Sequence, residues 1–362
     1  MVELFTGEYG DNLQPEGDAG RNRSMQQALN AFLDGLSGPD RQALERVALT
    51  VVALEPGVDT RAWAGHRHHE VQYSASLVKL LAMYAAHTLR FFARHLRLER
   101  QPATTGALFA AMTADFDSRI NALTPPKIKA QHGADPTKIL PAYRSVLQAE
   151  VDAAGKPVDV NFTPEYGAHL RGMLVDQEKI PAAACIHGVA FGFMNAKARD
   201  DGFFDITHER GIWLAGDYRG QWTPVRIPST NDGLVAQATT AIDMARLFTR
   251  MFDGTLESGA PTDLFPMLAG SGRSWFHDRG IWPRGGLRAT HSKVGIGPFK
   301  PNSTGVIEQA VSEALIVHDD NRRIDFVVVW QNLKVPGLPT VAELLRVARM
   351  VEAAIAGFRP TV

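Results

Sequence analysis

One four-residue pattern in the chain could do chemistry: Ser76-Leu77-Val78-Lys79. Of all the serines, Ser76 alone has a lysine three residues later. A serine hydroxyl is a weak nucleophile until a base takes its proton. Residues three apart share one face of a helix, so Lys79 can reach Ser76 if the segment is helical. An amine becomes that base once burial or a neighbouring cation lowers its pKa. A helix start adds free N–H groups and a positive dipole end, which favour a developing anion. The plain alternative is a helix-capping Ser76 beside a solvated Lys79.

A second pattern is His291-Ser292-Lys293-Val294-Gly295. On a strand beside the nucleophile, Lys293 would hold a substrate carboxylate and depress the pKa of Lys79. Ser292 would line the same surface, and Gly295 would let an extended substrate approach the backbone. Taken alone, this too reads as an ordinary strand with one basic residue.

The elements that must position these residues follow from periodicity. Met25–Leu36 has helical spacing. Arg46–Leu54 is β-branched and apolar, which predicts a buried strand. Glu55-Pro56-Gly57 signals a turn, and a more polar strand is expected over Thr60–Ala64. From Ser76 onward, apolar residues at 77, 80, 81, 84, 85, 89 and 92 give a helical stripe. Residues 101–200 read mostly as helix, broken at Thr124-Pro125-Pro126 and Gly155-Lys156-Pro157. Ile212–Gly233 reads as a long ordered loop, and Thr239–Phe252 as helix. Leu287–Gly295 is a predicted strand. Ala314–Val317 and Ile324–Trp330 form a predicted hairpin about His318-Asp319-Asp320-Asn321. Val341–Phe358 closes with an amphipathic helix. The sheet is therefore mostly antiparallel and built from both chain ends, with a helical block between.

With both patterns in place, the chain resembles the penicillin-recognising serine hydrolases, namely class A β-lactamases and penicillin-binding proteins. Their signature is S-x-x-K, then S-D-N, then K-T-G. Ser76–Lys79 matches the first, and Lys293-Val294-Gly295 matches the third with Val in place of Thr. Gln237-Ala238-Thr239-Thr240-Ala241, leading into Ala245-Arg246-Leu247, is similar to the helix after the omega loop of class A enzymes. The resemblance covers residues 45–358. It implies an α/β fold of the α+β type, β-lactamase/transpeptidase-like, with an enlarged helical subdomain. It implies Ser76 as acylated nucleophile, Lys79 as its base, and an oxyanion hole from the N–H groups of Ser76 and Ile296.

The departures from that family are specific. No S-D-N stands in the helical block; the best positional match is Glu178-Lys179-Ile180-Pro181, which supplies no hydroxyl. Tyr218 and Ser229 are the candidates to carry the leaving-group proton. The loop before Thr239 lacks the Glu-x-x-x-Asn pattern of class A and has Trp222-Thr223-Pro224-Val225-Arg226 instead. Asp217 and Asp232 are the nearby acids. The expectation is a serine hydrolase or acyltransferase acting on an ester, amide or lactam, and not an efficient β-lactamase. The rival is a non-catalytic binding protein that keeps the pocket and has lost turnover.

Composition narrows the setting. The chain has 362 residues, 45% hydrophobic and 21% charged, with 38 Lys+Arg against 39 Asp+Glu and a net charge of -1. That balance offers no basic surface for nucleic acid and no polybasic membrane anchor. One cysteine, Cys185, permits neither an intrachain disulfide nor a cysteine zinc site, and reads as a buried small hydrophobe. Leu77–Leu98 is apolar-rich but carries Lys79, His87, Arg90, Arg94 and Arg97, so it is no membrane span. The first residues lack a basic-then-apolar leader, and the expected location is the cytoplasm. His66-Arg67-His68-His69-Glu70 is dense in ligands, but adjacent strand residues face opposite sides; no metal and no cofactor are expected. The expected partner is a small or peptide-like substrate that carries a carboxylate. Residues 1–44 are expected to form an arm and helix, and 45–362 one domain with sheet at 45–75 and 285–362 and helices over 76–280.

Overall fold

The structure is a computed structural model, which describes residues 19–56, 61–253, 268–269, 274–301 and 305–360. Two compact units emerge. Among the described residues, a sheet unit holds 19–77, Pro228–Phe252 and 268–360, and a helical unit holds Val78–Ile227.

In the sheet unit, helix α1 (Ala19–Asp34) precedes strands β1 (Ala48–Leu54) and β2 (Trp63–His66). Three long strands come from late in the chain: β3 (Leu287–Pro298), β4 (Gln309–Asp319) and β5 (Ile324–Val335). The sheet order is β3-β4-β5-β1-β2, and every pairing is antiparallel. Val51 stands opposite Val328, so an early strand is flanked by one from far along the chain. All seven residues of β1 are buried, which explains why six of them are apolar and Thr50 is the one polar side chain. One sheet face (Val51, Leu315, Phe326, Val328, Trp330) joins a core with Met25 and Leu29 of α1. Leu344, Val347 and Val351 of the last helix, Val341–Ala356, complete it. That helix starts on a capping box between Thr340 and Glu343, as its sequence requires.

In the helical unit, α2 (Lys79–Arg100) is buried on nearly every side, including Leu80, Leu81, Met83, Tyr84, Leu89 and Phe92. It packs on α3 (Lys179–Val189) and α4 (Phe191–Asp200). A 3-10 turn, Ala75–Val78, runs directly into α2, so Ser76 lies in the turn and Lys79 opens the α-helix.

Two expectations change here. The second strand begins at Trp63, and residues 57–60, where it was expected to start, lie outside the described residues. Residues 147–162 are not helical. Leu147–Val151 and Pro157–Phe162 form a hairpin, with Gly155 at φ 78 in its turn. Gly155-Lys156-Pro157 reverses a β-ribbon rather than breaking a helix. Gly155 accepts the left-handed backbone at little cost.

Candidate active site

In the sheet unit, the segment that carries Ser76 is pinned before it turns. Tyr73 and Gln72 pair with Ala238 and Thr239. The Tyr73 N–H donates to Asn231 Oδ1 at 2.7 Å, and the Ser74 N–H to the Gln237 carbonyl at 3.2 Å. Ser74 Oγ donates to the Gln72 carbonyl at 2.9 Å and accepts from Gln331 Nε2 at 3.3 Å. Ala75 then takes φ 48, and the Leu77 N–H closes the turn on the Ser74 carbonyl at 3.0 Å. Ser76 is left half-buried at the tip.

Strand β3 lies against this turn through its glycines. A Cβ on Gly295 would sit 2.6 Å from the Ser74 carbonyl oxygen and 2.9 Å from the Leu77 nitrogen. A Cβ on Gly297 would collide with the Tyr73 hydroxyl and the Ala75 methyl. Only a strand without side chains at both positions can approach so closely. The structure therefore brings Ser76, Gly295 and the backbone of Ile296 into one neighbourhood, while the Ile296 side chain packs on the core.

In the helical unit, Lys79 is fully buried. Its Nζ donates to the carbonyls of Gln177 at 3.3 Å and Glu178 at 3.4 Å. The Tyr218 ring lies beneath it, 5.0 Å from Nζ to centroid. Burial first, and the charge of Lys179 second, lower its pKa to about 8. Cys185 opposes that shift, and burial pushes the Cys185 thiol itself upward. The amine is thus half-deprotonated slightly above neutrality, as a general base needs.

Solved structures share this architecture. The TLA-1 extended-spectrum β-lactamase matches with a TM-score of 0.51 over 93% of this chain and 98% of that one, at 10% identity. The TLA-3 extended-spectrum β-lactamase gives 0.51 over 92% and 97%, also at 10% identity. A class A β-lactamase from Bacteroides cellulosilyticus gives 0.50 over 92% and 98%, at 11% identity. The fold is that of the serine β-lactamases. No family model matches the sequence, and no curated protein matches it.

Within this β-lactamase fold, several site residues stand differently from expectation. The depression of the Lys79 pKa comes from burial and Lys179, not from Lys293. Lys293 is buried, with Nζ donating to the Val294 carbonyl at 2.9 Å. Ser292 is not a substrate-facing group, because its hydroxyl donates to Glu313 Oε1 at 2.7 Å. Strand alternation puts its side chain on the opposite face from Gly295. Ser229 closes a surface turn: its hydroxyl donates to the Gly233 carbonyl at 3.1 Å and accepts the Asp232 N–H at 3.1 Å. Tyr218 meets Lys79 with its ring face rather than its hydroxyl.

Two groupings were missed. Glu313 is fully buried on β4 and accepts from Ser292 at 2.7 Å and from the Trp275 N–H at 3.2 Å. Burial pushes its pKa up to about 7. His187 and Asp217 pair at 3.1 Å in the helical unit. Burial works against the Asp217 carboxylate, but the N–H groups of Trp222, Arg219 and Gly220, together with His187, hold its pKa below the usual value. Nothing in local spacing announces either grouping, since each joins residues far apart in sequence.

Proposed function

We propose that this protein is a serine hydrolase or acyltransferase that works through an acyl-Ser76 intermediate. Ser76 Oγ attacks the carbonyl of an ester, amide or lactam while its proton passes to the Lys79 amine. The tetrahedral anion collapses, the leaving group departs with a proton, and water or a second acceptor releases the acyl group. The N–H groups of Ser76 and Ile296 serve as the oxyanion hole, each worth on the order of 10²-fold in rate. Lys293, whose Nζ rests on the Val294 carbonyl, exchanges that acceptor for a carboxylate on a small or peptide-like substrate.

One observation carries this reading: a fully buried lysine, pKa lowered to about 8, opens the helix three residues after Ser76. The close approach of Gly295 to the Ser74–Leu77 turn supports it. Efficient β-lactam turnover is not part of the proposal, because the Tyr218 ring stands against Lys79 and no deacylating glutamate motif precedes Thr239.

A second reading, a binding protein that has lost turnover, draws on the Gln177 and Glu178 carbonyls, which accept from the Lys79 ammonium. Incubation with a fluorophosphonate and with a fluorescent penicillin, read by intact mass, separates the two. The hydrolase reading expects an adduct that disappears in Ser76→Ala. No adduct with either probe, and no ester hydrolysis, establishes the binding protein.

A further inference from the structure

The segment Asp217–Trp222 passes over Lys79 in a conformation that needs holding. Tyr218 sits at φ 62, a region that costs a non-glycine residue about 1–3 kcal/mol unless its surroundings enforce it. Its ring is the one that covers the Lys79 ammonium.

Contacts within the helical unit hold this conformation. The Asp217 carboxylate accepts the N–H groups of Arg219 at 3.1 Å, Gly220 at 2.6 Å and Trp222 at 2.9 Å. One buried carboxylate thus gathers the whole turn around Tyr218. The same carboxylate accepts His187 Nε2 at 3.1 Å, which ties the turn to α3. The His187 ring stacks on the Trp222 indole at 4.1 Å and 14°. Lys138 Nζ lies 4.0 Å from the centre of that indole, and the edge of Phe191 meets it at 5.0 Å. A flat stack at this distance fills one indole face, so the ammonium of Lys138 takes the other. His187 and Trp222 also border a cavity of about 610 Å³, so water has access to the outer side of the stack.

We propose that Asp217, His187 and Trp222, braced by Lys138, are positioning residues that hold the Tyr218 ring over Lys79 and keep water from its amine. The inference deepens the acyl-serine reading and rests on it only for its consequence in catalysis. The groups facing Lys79 are the Gln177 and Glu178 carbonyls, the Lys179 charge, Cys185 and Tyr218. Loosening the clamp changes only the last of these. Since burial is the chief cause of the depressed value, admitting water returns Lys79 toward an ordinary lysine.

The test is an NMR titration of Lys79 in full-length protein with 13C-labelled lysine, its signal assigned by loss in Lys79→Met. In His187→Ala and Trp222→Ala the midpoint is expected to rise by about one unit, with fluorophosphonate labelling at pH 7 slowed about tenfold. Trp222→Phe keeps a stacking ring and is expected to restore the wild-type midpoint. Lys138→Met, with its replaced side chain at the edge of the cavity, tests the brace if the alanine variants do not fold; a smaller rise is expected. Midpoints unchanged in the folded variants overturn the clamp, even if Ser76 is labelled. If Ser76 takes no probe in the wild type while the midpoint moves, the clamp stands and the hydrolase reading falls.

Discussion

Lys79 and Lys197 are both fully buried, both on helices of the same unit, and differently furnished. Lys197 Nζ lies 2.8 Å from Asp201 Oδ1 and 3.3 Å from Asp200 Oδ2, and Tyr84 donates its hydroxyl to Asp201. Lys79 has two carbonyls, a ring face and no carboxylate among the described residues. A buried ammonium held by carboxylates belongs to the architecture. One with neutral acceptors, as at Lys79, has its pKa lowered to about 8 by burial and by Lys179. The lesson is that burial by itself does not mark a functional lysine; the missing counter-charge does.

The comparison breaks most sharply at Lys197. Lys197→Met leaves two aspartates without their cation and is expected to cost about 3–5 kcal/mol in urea unfolding, as removal of one partner from a buried pair does. Lys79→Met removes an amine with no carboxylate partner. It is expected to change stability by less than about 1 kcal/mol and to slow Ser76 labelling by about 10²- to 10⁴-fold, the usual range for a general base. Equal stability losses in the two variants would erase the distinction.

Glu313 extends the contrast to the sheet unit, as a buried acid held by hydroxyl and N–H donors. Its folded value of about 7 lies above the ordinary 4.5, so the folded state holds the proton more tightly. The associated stability is complete below pH 4.5 and is lost as pH rises through 7. Glu313→Gln is expected to be more stable than wild type by about 2 kcal/mol at pH 8 and to flatten the unfolding profile between those pH values. The smallest effect is the pH dependence of labelling at Ser76. Below the Lys79 value of about 8 the rate should fall about tenfold per unit, and above it level off. A profile flat from pH 6 to 9 would remove Lys79 from the base role.

Much of the sheet was legible because β-branched runs can be buried on both faces in only one way. Val47–Leu54 and Phe326–Trp330 needed no tertiary knowledge to be placed. The start of the helix near Ser76 was legible because the apolar stripe that follows has helical period; Ser76 lies in a 3-10 turn and Lys79 opens the α-helix. The hairpin at 147–162 was not, because Gln148, Ala149 and Glu150 are good helix formers whose strand state is imposed by the partner ribbon. Glu178–Pro181 stands out in sequence only as the nearest positional match to the absent S-D-N; the contact of Glu178 with Lys79 is through a carbonyl, which every residue has and no motif can advertise. His187 and Asp217 meet only through packing, and the sequence around His187 reads as an apolar helix. Burial was one of the two causes foreseen for the Lys79 shift, but the neighbouring cation is Lys179 rather than Lys293, because which charge packs nearby is decided by the fold and not by a pattern.

The pairing of β1 with β5 also sets a schedule. Ala48 finds Gln331 and Leu54 finds Asp325, partners separated by most of the chain. At roughly 5–20 residues per second of synthesis, β1 waits on the order of tens of seconds for the strand that flanks it. Until then a strand with six apolar residues of seven has only β2 beside it, and a two-stranded ribbon is marginal in water. The same non-local pairing makes the folding step itself slow. A chain that ends before Ile324 therefore lacks the strand that flanks β1, and its central sheet cannot close.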